Sequence, residues 1–137
     1  MADDLKTSMF ISGAGMRVQG QRMKVIAENI ANADSTAATP GGDPYRRKTV
    51  TFKNVLDREM DTDLVRVDKV GQDMSDFELK YDPGHPSADE DGYVKLPNVE
   101  SLIETMDMRE ATRSFEANLN MVKAARDMIS RTIDLLR

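Results

Sequence analysis

Cysteine is absent from the 137 residues, and histidine occurs once, at His85. The lack of cysteine excludes disulfides, thiolate catalysis and cysteine zinc sites together. It leaves the compartment open, since cytosolic and exported proteins can both lack it. One histidine with no second histidine and no cysteine does not make a metal site with the usual ligands. Aromatic residues are only 5% and hydrophobic residues 39%, so a large compact core is hard to build. No run of ~18 apolar residues marks a membrane span. The start, Met1-Ala2-Asp3-Asp4-Leu5-Lys6, has no basic region followed by an apolar run, so it does not read as a secretory signal peptide. Export, if it occurs, is expected to leave this end uncleaved.

Charge of one sign is also short. Charged residues make up 31% of the chain, but the net charge is -5. An acidic chain is a poor match for nucleic acid phosphates, which call for clustered Lys and Arg. The one basic run, Arg46-Arg47-Lys48, reads as a solvated strand edge. Gly13-Ala14-Gly15-Met16-Arg17-Val18 is half of a dinucleotide fingerprint, without the third glycine and without a preceding strand. Asp89-Glu90-Asp91-Gly92 is a fragment of a calcium loop that lacks the first ligand and the closing Glu. It reads as an acidic turn. No cluster of Ser, His or carboxylates has triad or metal spacing. An enzyme is therefore disfavoured, and no catalytic residue, cofactor, metal or small-molecule substrate is expected.

What the chain does have is helical periodicity at both ends. Leu5, Met9, Ser12, Met16, Gln19, Met23, Ile26, Ile30 and Ala33 alternate four-three steps. That is a heptad seam, the pattern of a helix packed lengthwise on another. Phe115, Leu119, Val122, Ile129, Ile133 and Leu136 form a second stripe, extended backward by Ala111 and Met108. Arg126 interrupts it where an apolar residue is expected. Asp3 and Asp4 oppose the dipole at the start of the first helix. Gly13, Gly15 and Gly20 each cost the helix roughly 1 kcal/mol relative to alanine, so this helix must gain stability from close packing. Its end, Glu28-Asn29-Ile30-Ala31-Asn32, reads as a polar, fraying terminus with Asn as a stop signal. Pro97-Asn98 announces the last helix, with Asn98 as N-cap and Ser101-Leu102-Ile103-Glu104 as a capping box. Seven of the 10 methionines lie in the two helical stretches. Methionine suits a seam that fits more than one neighbour.

The middle changes period. Val50 and Phe52, Val65 and Val67, Phe77, Leu79 and Tyr81, then Val94 and Leu96 alternate with polar residues as half-buried strands. A small antiparallel sheet with one wet face is expected. Residues 54–63 are open between a strand end and a short helix. The fold class is therefore α+β: long N- and C-terminal helices pairing as a coiled-coil-like layer, with a small antiparallel β region inserted between them. The expected segments are 1–34 for the N-terminal helix, 35–44 for a hinge loop rich in Gly, Pro, Ser and Thr, 45–97 for the β region and 98–137 for the C-terminal helix.

Three stretches then carry a resemblance. They are Glu28-Asn29-Ile30-Ala31-Asn32-Ala33-Asp34-Ser35 with Pro44-Tyr45-Arg46, then Tyr81-Asp82-Pro83-Gly84-His85-Pro86 continuing to Leu96-Pro97-Asn98-Val99, and Arg113-Ser114-Phe115-Glu116-Ala117-Asn118. In this order the chain resembles the axial proteins of the bacterial flagellum, the rod, hook and hook-associated proteins, and among them the proximal-rod members. Only about Asp57 to Asp76 lacks a strong match. The resemblance implies a structural subunit of the basal-body rod, the drive shaft crossing the periplasm, exported by the flagellar type III apparatus. Its implied partners are further copies of itself, other rod proteins, the basal adaptor between rod and membrane ring, and the export apparatus. No nucleic acid partner is implied. The implied subunit interface comprises Leu5, Met9, Met16, Met23, Ile26, Asn29, Ile30, Asn32, Phe115, Asn118, Leu119, Val122, Ile129, Ile133 and Leu136. The alternative is another type III-secreted helical assembly, a needle or translocator component. The stretch from Gly84-His85-Pro86 to Leu96-Pro97-Asn98-Val99 argues against it.

Overall fold

Helix α1 runs Ala2–Ala31, and the strands are β1 Lys48–Asp57, β2 Thr62–Gln72, β3 Glu78–Tyr81 and β4 Tyr93–Leu96. Helix α2 runs Ser101–Leu135. The computed structural model describes residues 2–135, so the interface expectation at Leu136 lies outside the described residues. The fold is α+β, two long helices with a small antiparallel β region between them in sequence. The chain divides into two compact units.

The first unit holds Met1–Met23, Thr51–Lys69 and Arg109–Arg137. Here α1 and α2 run antiparallel. The Thr112 hydroxyl meets Met23 Sδ at 3.6 Å, Arg22 reaches Glu110 at 3.2 Å, and Gly15 faces Asn118. Ser12, Ala14 and Val18 of α1, Ala111 and Ala125 of α2 and Leu64 of β2 are buried in this unit, with Ala14 and Val18 lying beside Val65 and Val67 of β2. On α2 the inward positions are Ala111, Phe115, Asn118, Val122, Ala125 and Ile129, an unbroken four-three alternation. This corrects the expected interruption. The seam passes through Ala125, and Arg126 stands one residue off it, exposed.

The three α1 glycines separate on the same grounds. A Cβ on Gly15 would stand 2.8 Å from Asn118 Nδ2, so only glycine lets this side chain lie against the helix. At Gly13 and Gly20 a Cβ would meet nothing within 4 Å. Gly13→Ala and Gly20→Ala are each expected to stabilise the isolated chain by about 1 kcal/mol through helix propensity. Gly15→Ala is expected to lose that gain to the Asn118 clash. Urea unfolding of the three variants decides it; a stabilised Gly15→Ala would refute the close contact.

The second unit holds Lys24–Val50 and Val70–Met108. Strands β3 and β4 pair antiparallel, with Glu78 opposite Leu96 and Tyr81 opposite Tyr93. Tyr81 and Tyr93 meet edge to face, with centroids 5.3 Å apart. Gly92 turns the chain into β4 at φ 85°, where a Cβ would press on the Tyr81 ring. Strand β4 alternates as expected, with Val94 buried. Strand β3 does not. All four of its residues, Leu79 and Tyr81 included, are exposed. A two-stranded sheet has too little cover to bury a face on both strands. Residues 54–63 turn out to be the end of β1, a four-residue turn with Asp61 at φ 46°, and the start of β2. Strands β1 and β2 pair with each other.

Candidate functional site: a buried polar cluster and exposed helix stripes

The second unit is centred on two polar side chains, Asn29 of α1 and Glu104 of α2, each 1% exposed. Asn29 uses its whole hydrogen-bonding capacity. Its Oδ1 accepts from the Tyr45 hydroxyl at 2.8 Å and the Lys48 N–H at 2.9 Å. Its Nδ2 donates to the Lys48 carbonyl at 2.9 Å and to Glu104 Oε2 at 3.0 Å. The amide thus engages both backbone groups of the first residue of β1, as a neighbouring strand would. Arg47 Nε donates to Glu104 Oε1 at 2.5 Å, and the rest of its guanidinium lies 3.7 Å from Asp73 and 3.8 Å from Asp107. A buried carboxylate is tolerable only when paired and hydrogen-bonded, and this one is both.

Around it the chain is tied at several more points. Asn98 Oδ1 accepts the Arg47 N–H at 2.8 Å, and its Nδ2 donates to the Asp73 carbonyl at 2.9 Å and the Ser75 hydroxyl at 3.0 Å. Lys48 Nζ reaches Glu28 at 2.8 Å, and the Arg46 guanidinium stacks 4.3 Å above Phe77. Burial pushes the Tyr45 hydroxyl above its ordinary value. The Lys48 hydrogen bond holds Glu28 below the usual carboxylate range, and the Lys95 hydrogen bond does the same for Asp43. Asp73 is held low by the N–H of Ser75. These depressed carboxylates contribute stability that is present at neutral pH and lost as pH falls below about 4.

Three expectations are corrected here. Asn29 is no fraying terminus; its side chain makes four hydrogen bonds. Asn32 does close the helix, with its Nδ2 on the Glu28 carbonyl at 2.8 Å. Asn98 does not cap α2, because it is spent on Arg47, Asp73 and Ser75. Glu104 does not reach back for a capping box, because Asn29 and Arg47 hold it. A capping motif and a buried ion pair look alike in sequence. Only the arrival of a distant arginine separates them.

The implied interface residues within the described range fall into three groups. Ile26 and Asn29 are buried within the chain, and Leu5, Met9, Met16, Met23, Asn32, Phe115, Asn118, Leu119, Val122 and Ile129 are half-buried. Ile30 and Ile133 are exposed. The structure also exposes apolar residues outside that set. On α2 these are Met121 at 53%, Met128 at 48% and Leu135 at 87%, seven apart and hence on one face. Phe10 and Ile11 on α1, and Leu102, Ile103 and Met106 at the start of α2, are exposed as well. The methionine content was the one sequence signal for this second stripe. Periodicity hid it, because the inward seam has the same heptad period.

Two long antiparallel helices, with further apolar residues exposed along α2, define a helical structural protein. Comparison with known proteins agrees. The family described as "Flagellar basal body rod FlgEFG protein C-terminal" matches residues 90–135. The chain is 53% identical to the flagellar basal-body rod protein FlgC of Agrobacterium fabrum, covering 98% of this chain and 97% of the relative. It is 38% identical to the Salmonella typhimurium protein of that name, covering 91% and 92%, and 36% identical to that of Bacillus subtilis, covering 93% and 95%. The chain belongs to the FlgC family of flagellar basal-body rod proteins and is a structural subunit of the rod.

Proposed function

We propose that this chain is a drive-shaft subunit of the proximal rod, built into a wall of helices by the outward stripe of α2 and the open face of α1. The observation that carries this reading is the row Met121, Met128 and Leu135, apolar, seven apart and exposed on the flank of α2 beside its inward seam. Such a row offers a surface for another helix to cover. Gly13 and Gly20, also seven apart, weaken α1 although a Cβ at either would meet nothing within 4 Å, which fits close approach by a neighbouring helix. The partners are further copies, other rod proteins and the adaptor between rod and membrane ring. Torque passes through these contacts, and the role is mechanical, with no chemistry. Segment 1–34 and segment 98–137 supply the axial helices, 45–97 the outer β region and 35–44 the hinge. Export runs through the flagellar type III apparatus.

The lack of cysteine makes the test clean. Met121→Cys and Met128→Cys are introduced in cells lacking the native copy, and a thiol reagent is applied to the free chain and to isolated basal bodies. Labelling of the free chain and protection in basal bodies is expected. Equal labelling in both would sink the assignment of this stripe to the assembly surface.

A further inference from the structure

With no cysteine in the chain, methionine is its only oxidisable sulfur. Among the described residues four methionines are exposed: Met74 at 75%, Met106 at 62%, Met121 at 53% and Met128 at 48%. Met9, Met16, Met23, Met60 and Met108 are half-buried. Met23 is also engaged, because its Sδ accepts the Thr112 hydroxyl at 3.6 Å. Met121 borders a cleft of about 630 Å³ beside Ile11 of α1 and Met60 of the β1–β2 turn, so water and solutes of similar size reach it.

We propose that Met121 and Met128 form an oxidation site that controls whether the free chain can assemble, with hydrogen peroxide as the co-reactant. A sulfur lone pair attacks one peroxide oxygen and the O–O bond breaks. The proton of the transferred oxygen passes to the departing hydroxide, which leaves as water. Sulfur is oxidised by two electrons to the sulfoxide, and the peroxide is reduced by the same two.

The consequence differs between the free and the covered helix. A sulfoxide is polar, and its oxygen needs a hydrogen-bond donor. At both positions of the free chain water supplies one, so the fold is kept. Under a covering helix the same oxygen would be buried unpaired. The oxidised row therefore no longer suits a neighbouring helix, and reduction of the sulfoxides restores it. Control of assembly rests on the reading of this row as an assembly surface; the chemistry at the two sulfurs does not.

Peptide mass spectrometry of the purified full chain, treated with hydrogen peroxide, tests the chemistry. Met74, Met106, Met121 and Met128 should convert several-fold faster than Met23, with melting near normal. Slow conversion at 121 and 128 would overturn the site. Control of assembly is tested in cells lacking methionine sulfoxide reductases. A peroxide pulse is given while the chain is made alone, and the other rod proteins are induced after it. Sulfoxide at 121 and 128 should be depleted several-fold in basal bodies relative to the unassembled pool, while sulfoxide at Met74, which lies outside both helices, should enter freely. Met121→Leu with Met128→Leu keeps the row apolar without the sulfur and should assemble equally with and without the pulse. A loss in that variant after the pulse, or entry of the 121 and 128 sulfoxides as free as that at Met74, would refute the control. Peroxide treatment of finished basal bodies separates the two readings. Protection at 121 and 128 there leaves the assembly surface standing even if the control fails, whereas oxidation as fast as in the free chain overturns both.

Discussion

Glu104→Ala is expected to destabilise the isolated protein by about 3 kcal/mol, the scale for removing one partner of a buried ion pair. The side chain is 1% exposed and accepts from both Arg47 and Asn29. Its removal leaves the Asn29 amide without its second acceptor and Arg47 with only the longer contacts to Asp73 and Asp107. A cavity adds to the loss. Thermal unfolding should shift down by about 10 °C for a chain of this size. Glu104→Gln keeps one acceptor oxygen and turns an amide NH2 toward the other donor, and should fall between the wild type and Glu104→Ala. The reverse experiment is as informative. Replacing Arg47 and Glu104 together by methionine removes both charges and keeps Asn29 on the Lys48 backbone, and should recover most of the stability. The double variant failing as badly as Glu104→Ala would mean that the ion pair is stabilising in its own right rather than tolerated.

Met121→Glu with Met128→Glu is expected to do the opposite: little in the isolated chain, everything in the rod. Both side chains are about half exposed, and surface changes of this kind shift stability by within ~0.5 kcal/mol. In an assembled wall the same two positions would face a neighbouring helix. Two carboxylates buried there without partners cost several kcal/mol at each interface, and the cost repeats at every copy. Melting should be near normal, while cells carrying only this variant should form no rod and not swim. Ile129→Asp is the internal comparison. Ile129 sits half-buried on the inward seam with Val122 and Ala125, so its change should lower the melting point of the isolated chain first. Normal motility in the Met121/Met128 variant would place the assembly surface elsewhere.

These two experiments mark the line between what is legible in one sequence and what is not. The two long helices follow from apolar spacing, and the short strands from alternation and turn residues. Both are local patterns with a fixed period, so the α+β class is readable without any tertiary information. The resemblance carried by Asn29 to Asn32, by Tyr81 to Val99 and by Arg113 to Asn118 is likewise a matter of order along the chain. It led to the rod family that whole-chain identity establishes.

Two features escaped. On α2 the inward seam and the outward stripe share a seven-residue repeat, and a period says how residues group on faces without saying which face meets a partner inside the chain. That choice is made by packing: Ala111, Ala125 and Gly15 allow close approach, and the bulkier Met121, Met128 and Leu135 are turned out. The roles of Asn29, Asn98 and Glu104 were the other. In sequence each reads as part of its own helix end, since caps are local and short-range bonds are all a sequence window can offer. Their actual partners lie far along the chain: Glu104 is 57 positions from Arg47 and 75 from Asn29. The sequence by itself determined the elements, their order and the family. Only the tertiary structure decided which polar groups are buried and which apolar face is left open, because both depend on which distant residues arrive beside them.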